Sequence, residues 1–158
     1  MGNIKRYYDN NFAYFVTSVT FKRAPIFSTE RTIDLLLLTI EYFKITLDYK
    51  LLAYCILPEH IHLIIQPFGR YDLSYILKMI KGTFARRFNK VYNSTGRIWQ
   101  KRFYEQGVRD EMMLIYKMEY IHNNPIKHKL VTDLTKFKYS SYQYYINNKI
   151  HILNIDTL

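Results

Sequence analysis

The chain has 158 residues, 49% of them apolar, enough material for one compact core and little more. Lysine and arginine number 23 against 13 acidic residues, a formal charge of +10, which favours a polyanionic partner, nucleic acid before anionic membrane. The single cysteine, Cys55, excludes an internal disulfide and fits a reducing cytoplasmic setting, and the longest apolar runs (Leu35 to Leu38, Ile61 to Ile65) are too short to cross a bilayer.

The start of the chain, Met1 to Asn11, is polar and reads as no targeting segment; Met1-Gly2 lacks the Ser or Thr that myristoylation wants, having Arg6 instead. Tyr14 to Phe21 (YFVTSVTF) is β-branched and aromatic, and predicts a strand broken at Ala24-Pro25. Ser28 or Thr29 caps a helix over about Glu30 to Thr46, with Ile33, Leu36, Leu37 and Ile40 on one face. Leu51 to Leu57 reads as a buried strand, Pro58-Glu59 as a tight turn, and His60 to Gln66 as the returning strand. A second helix spans about Asp72 to Tyr92, carrying Ile76, Met79, Ile80, Phe84 and Phe88 at helical spacing. Ile98 to Val108 reads as extended, with Trp99 and Phe103 as core anchors. A third helix runs from about Asp110 and is predicted to stop near Asn124, because Pro125 disfavours helical backbone in the residue before it. The remainder, 136–158, is a basic tyrosine-rich tail on a single domain covering 1–158. Strand, helix, strand, strand, helix, strand and an extra helix make the α+β, ferredoxin-like βαββαβ pattern, an antiparallel sheet with an added C-terminal helix.

Three groups of residues carry chemistry. His60 and His62 alternate onto one strand face with Ile64 and Gln66, while Ile61, Leu63 and Ile65 face the helices, so two imidazoles converge on one point. Taken alone, a His-x-His pair also reads as a surface or structurally hydrogen-bonded pair. On the third helix, Leu114, Met118 and Ile121 form an apolar stripe, and Tyr116, Tyr120, Asn123 and Asn124 are predicted on the opposite side, with Tyr120 and Asn124 one turn apart. The plain alternative is a half-buried tyrosine before an Asn-Pro stop. Lys78, Lys81, Arg86, Arg87, Lys101, Arg102 and Arg109 form a basic set that suits phosphate contacts or simply a solvated surface. His122, His128 and His151 read as structural or surface residues.

Several stretches in order resemble one family. YFVTSVTFKRAPIF (Tyr14 to Phe27), AYCILPEHIHLIIQP (Ala53 to Pro67), KMIKGTFARRFN (Lys78 to Asn89), IWQKRFYEQGVRDE (Ile98 to Glu111) and YIHNNPIKHKLV (Tyr120 to Val131) are similar to the HUH single-tyrosine transposases. That group includes insertion-sequence transposases and REP-associated tyrosine transposases, and KYSSYQYY (Lys138 to Tyr145) resembles the latter branch. The resemblance implies a ferredoxin-like domain that cuts and rejoins single-stranded DNA, often beside hairpins, with Mg²⁺ or Mn²⁺. It implies Tyr120 as nucleophile, His60 and His62 as metal ligands and Asn124 as the third, a position where several relatives have Gln. It implies a 5′-phosphotyrosine intermediate. Lys78, Lys81, Arg86, Arg87, Arg102 and Arg109 are then the candidate DNA contacts, and the protein works as a monomer or a homodimer. Two other readings stand beside it: a non-mobile relative acting on host repeats, which flanking DNA would separate, and a non-catalytic nucleic-acid-binding module. The second would show stacking aromatics where this face carries two histidines and a glutamine.

Overall fold

The structure, a computed structural model, describes residues 8–149 and 152–157. The N-terminal Met1-Gly2 and Arg6, and His151 of the tail, lie outside the described residues. Strands β1 (Ala13–Val19), β2 (Tyr49–Leu57), β3 (His60–Pro67) and β4 (Tyr104–Val108) alternate with helices α1 (Glu30–Leu47), α2 (Leu73–Val91), α3 (Glu111–Lys127) and α4 (Tyr142–Asn147). The sheet order is β2-β3-β1-β4 with antiparallel neighbours throughout, which confirms the ferredoxin-like α+β architecture.

Each long helix begins where a short polar side chain satisfies a free amide. Thr29 accepts from the Thr32 N–H, Asp72 from Tyr75 and Asp110 from Met113. Helices α1 and α2 cover one face of the sheet. Val16, Leu51, Ile56, Ile61, Leu63 and Ile65 meet Leu36, Leu37, Ile40, Ile76, Ile80 and Phe84 there. The other face packs Phe15, Leu52, Ala53, Cys55, Leu57 and Ile64 against Leu114 and Ile121 of α3 and against Phe137. Between Leu51 and Ala53 the β2–β3 register shifts by a residue, so Leu52 and Ala53 both serve this second face.

Two boundaries differ from the sequence expectation. The run from Ile98 is not strand until Tyr104. Trp99 instead turns into the core under α2, donating its Nε1–H to the Lys81 carbonyl at 3.1 Å, and an isolated bridge, Thr20 to Trp99, joins it to the sheet side. Helix α3 does not stop at Asn124 but carries Pro125 in its last turn and ends at Lys127. Ile121 and Pro125 are both buried, so packing against the sheet outweighs the local preference of the residue before proline. The end is closed by His128 N–H to the Asn124 carbonyl (2.9 Å) and Leu130 N–H to the Pro125 carbonyl (2.8 Å).

The tail seals the free edge of β2. Ile56 N–H donates to the Tyr139 carbonyl, Ser141 N–H to the Tyr54 carbonyl and Asp156 N–H to the Leu51 carbonyl, each at 2.9 Å. His122 of α3 ties into this seam through Ser141 Oγ at 2.7 Å, and burial pushes its imidazole down to about 4. It therefore has the structural role read for it. Among the described residues no helix is long and apolar enough to cross a membrane.

Candidate active site

The second face of the sheet becomes polar towards one end. Register places Thr17 opposite His62 and Val19 opposite His60, so β1 and β3 together present both imidazoles beneath α3. Thr17 Oγ1 and His62 Nδ1 are hydrogen-bonded at 2.8 Å. In the tautomer whose Nδ1–H donates to Thr17, the Nε2 lone pair is free, and this buried Nε2 has no hydrogen-bond partner. His60 Nδ1 donates to Glu59 Oε1 at 3.0 Å, so the turn residue Glu59 orients that ring and leaves its Nε2 facing outward from the bond. Carbonyl or carboxylate partners behind imidazoles are the usual arrangement behind a metal. The two rings lie 4.8 Å apart, centroid to centroid.

Both imidazoles are held neutral. Burial pushes His62 down to about 3, with His60, His128 and Lys127 adding to the effect and Asn124 opposing it. Burial also lowers His60, against the pull of Glu59. Neutral imidazole is the form that ligates.

Helix α3 brings the remaining groups. The Tyr120 ring is edge-on to the His62 ring at 5.7 Å, and Phe15 completes a triangle of rings, stacked on His62 at 5.5 Å and edge-on to Tyr120 at 5.7 Å. Tyr120 is 36% exposed and lines an open cavity of about 290 Å³ with Tyr116, Glu119, Asn123 and Lys127. Asn124 is not on the polar side with Tyr116 and Asn123, as the sequence suggested; it is 1% exposed. Four residues turn a helix 40° past a full revolution, and here that step carries Asn124 from the rim to the sheet side. Its Nδ2 donates to the Tyr120 carbonyl at 2.7 Å, which leaves Oδ1 as the amide atom available towards His62. Asn124 raises the His62 pKa, against the larger effect of burial.

Tyr120, His60, His62 and Asn124 are thus gathered in one place. The basic set is not. Lys78, Lys81 and Lys101 line a groove of about 360 Å³ with Arg97, Trp99 and Phe103, beside α2 on the far face of the sheet. The Lys81 ammonium sits over Trp99 and Phe103 at 5.6 and 5.5 Å. Arg86 donates to Thr83 and Arg87 reaches α1 to donate to Thr39. Arg102 and Arg109 are exposed beyond the two ends of β4.

Sequence reasoning missed Thr17, Phe15, Lys127 and the closeness of His128, whose ring lies 5.0 Å from His60. The alternation of β1 would have pointed to Phe15 and Thr17. Lys127 and His128 were hidden by the helix stop read at Pro125. Among the described residues no three His, Cys, Asp or Glu side chains are placed to hold a metal together; the groups gathered here are two imidazoles and an amide.

Known proteins resemble the chain in both sequence and fold. The family described as transposase IS200 like matches residues 9–124. A Haemophilus influenzae protein named as a REP-associated tyrosine transposase is 31% identical, covering 96% of this chain and 91% of its own. The REP-associated tyrosine transposase of Escherichia coli is 28% identical over 90% of this chain and 83% of its own. Among solved structures, a REP-associated tyrosine transposase bound to a REP hairpin superposes with a TM-score of 0.77 at 24% identity, covering 100% of this chain and 95% of that one. A transposase from Deinococcus radiodurans superposes over 78% of this chain and 97% of its own, with a TM-score of 0.54 at 18% identity. The chain belongs to the IS200-like transposase family and is similar over nearly its whole length to the REP-associated tyrosine transposases.

Proposed function

We propose that the protein cuts and rejoins single-stranded DNA beside hairpins, with Tyr120 as the nucleophile. The observation that carries this reading is the pairing of an accessible tyrosine, 5.7 Å ring to ring, with a buried His62 whose Nε2 is left without a partner. A buried polar atom without a hydrogen bond costs about 1–3 kcal/mol, and a cation bound at this nitrogen would relieve that cost.

His60 Nε2, His62 Nε2 and Asn124 Oδ1 fit a divalent cation, Mg²⁺ or Mn²⁺, being neutral donors that leave its charge available to an anionic phosphate. When bound, such a cation draws charge from a non-bridging phosphate oxygen. Thr17 and Glu59 fix the two rings. Phe15 packs beside both the His62 and the Tyr120 rings. The Tyr120 oxygen attacks phosphorus and the P–O3′ bond breaks. The phenolic proton passes to water, and the departing 3′-oxygen is protonated by water. The product is a 5′-phosphotyrosine and a free 3′-OH. The covalent bond keeps the phosphodiester energy, so a second 3′-OH can reverse the step without ATP. Tyrosine and histidines belong to one chain, so a monomer holds a chemically complete site. The hairpin reading draws on the structural relative described as bound to a REP hairpin.

Incubation with a hairpin-bearing single strand and Mg²⁺ or Mn²⁺ should give a denaturant-stable adduct carrying the 5′ end of the cut strand. Tyr120→Phe should eliminate the adduct and leave hairpin binding near wild type. Tyr116→Phe, at a residue 63% exposed, should change it by no more than about twofold. An adduct formed by Tyr120→Phe, or none from the wild type on any hairpin strand, would overturn the proposal.

A further inference from the structure

Helix α3 carries two ammonium groups back over its own tyrosine. Lys127 lies seven residues, two turns, beyond Tyr120, and its side chain runs towards the helix start, as helical side chains do. Its Nζ is 5.2 Å from the centre of the Tyr120 ring. Lys117, three residues before Tyr120, reaches from the other side, but its Nζ is closer to Phe15 (4.6 Å) than to Tyr120 (6.0 Å).

Lys127 is the better placed of the two for chemistry. It lines the same cavity as Tyr120, Glu119 and Asn123, where the strand must enter to meet the nucleophile. Its charge is also felt at His62. One flexible cation therefore lies over the nucleophile's ring, borders its cavity and is felt at His62. A phosphate within reach of the Tyr120 oxygen and of the histidine face lies within reach of Lys127 as well.

We propose that Lys127 is a further catalytic residue, whose ammonium binds a non-bridging oxygen of the scissile phosphate and holds it against Tyr120. The inference rests on the strand-cutting reading above. Lys127 exchanges no proton in the step: the Tyr120 oxygen–phosphorus bond forms, the P–O3′ bond breaks, and both protons are traded with water. It supplies a fixed positive charge where negative charge builds up. A preformed donor in such a position is worth most in the transition state, so its loss falls on rate rather than on binding.

The test is single-turnover cleavage of a hairpin-bearing strand in Mg²⁺, with DNA affinity and Mn²⁺ binding measured in parallel. Lys127→Met should slow adduct formation about 100-fold while DNA affinity changes less than about fivefold. Lys127→Arg should recover to within about tenfold of wild type. In DNA-free protein, Mn²⁺ should bind Lys127→Met about threefold more tightly, read from the free Mn²⁺ resonance, because a repelling charge has left the surroundings of His62; a merely structural loss would weaken it. Lys136→Met removes an equal charge from outside the cavity, and a loss matching that of Lys127→Met would mean bulk charge alone. The proposal is also overturned if Lys127→Met cleaves within threefold of wild type, if the loss is all in DNA affinity, or if Arg is no better than Met. A wild type that forms no adduct overturns the strand-cutting reading with it. A wild-type adduct with an unaffected Lys127→Met overturns this proposal alone.

Discussion

Strand β3 shows two different chemistries from one backbone. Ile61, Leu63 and Ile65 enter the layer under α1 and α2, where their neighbours are mostly apolar. His60 and His62 face the opposite way, beneath α3, where a buried nitrogen lacks a partner and the cavity opens to solvent. The first face is a continuous apolar layer apart from Ser18 opposite Ile61, whereas the second gathers two imidazoles and an amide around an accessible tyrosine. Stability and chemistry are therefore divided residue by residue along eight positions of one strand, and neighbours such as His62 and Leu63 should fail in opposite ways.

That division can be broken directly. His62→Ala should reduce adduct formation by at least about 1000-fold in Mg²⁺ while costing only about 1–2 kcal/mol in a urea melt, the price of leaving Thr17 without its partner. Leu63→Ala, one residue on, should cost about 3 kcal/mol, yet its folded fraction should form the adduct at the wild-type rate. Full activity in His62→Ala would remove the metal-site reading. A slow but stable Leu63→Ala would show that the two faces are not separable.

A smaller effect is expected from pH, through the histidine that serves structure rather than chemistry. His122 titrates near 4 in the fold against 6.5 when exposed. Its contribution is complete above pH 6.5. As pH falls from 6.5 towards 4 the unfolded chain takes up a proton that the fold refuses, and stability declines by about 2 kcal/mol at pH 4.5. His62, depressed to about 3, adds loss in the same direction, beginning at the same pH and continuing down to about 3. Urea melts at pH 7.5 and 4.5 should show His122→Gln losing less stability on acidification than the wild type. An equal loss in both would mean that burial of His122 has no such influence.

The smallest effect concerns the amide. Asn124→Ala should raise the Mn²⁺ concentration for half-maximal cleavage about tenfold, with little change at saturating metal. An unchanged metal requirement would leave Asn124 only its bond to the Tyr120 carbonyl.

Periodicity was a good guide wherever packing follows local pattern. The alternation of β3 and the stripe of α1 put their side chains where the sequence placed them, because each face meets a layer of one polarity. It misled at Pro125. The rule for the residue before proline is local, but Ile121 and Pro125 are buried against the sheet, and that tertiary gain carried the helix one turn further. Lys127 and His128 became visible only with that extra turn. Asn124 was misplaced for a related reason: a side chain near the border of a helix face is assigned by the tilt of the helix on its sheet, which spacing alone does not contain. The basic residues of α2 looked like one patch in sequence, but a helix points its charges all round. Arg87 turns to Thr39 while Lys78 and Lys81 border a groove.

The seam between the tail and β2 bears on how shortened versions of the protein would behave. Residues from Tyr139 onward occupy the outward amides and carbonyls of Leu51, Tyr54 and Ile56. Cut away after Phe137, they would leave a nine-residue, almost wholly apolar strand with an open row of donors and acceptors, a template for pairing with other molecules. Such a truncation would come out of solution with Tyr120, His60 and His62 untouched. A deletion at this end would therefore report on solubility, and its silence in a cleavage assay would say nothing about whether the tail meets DNA.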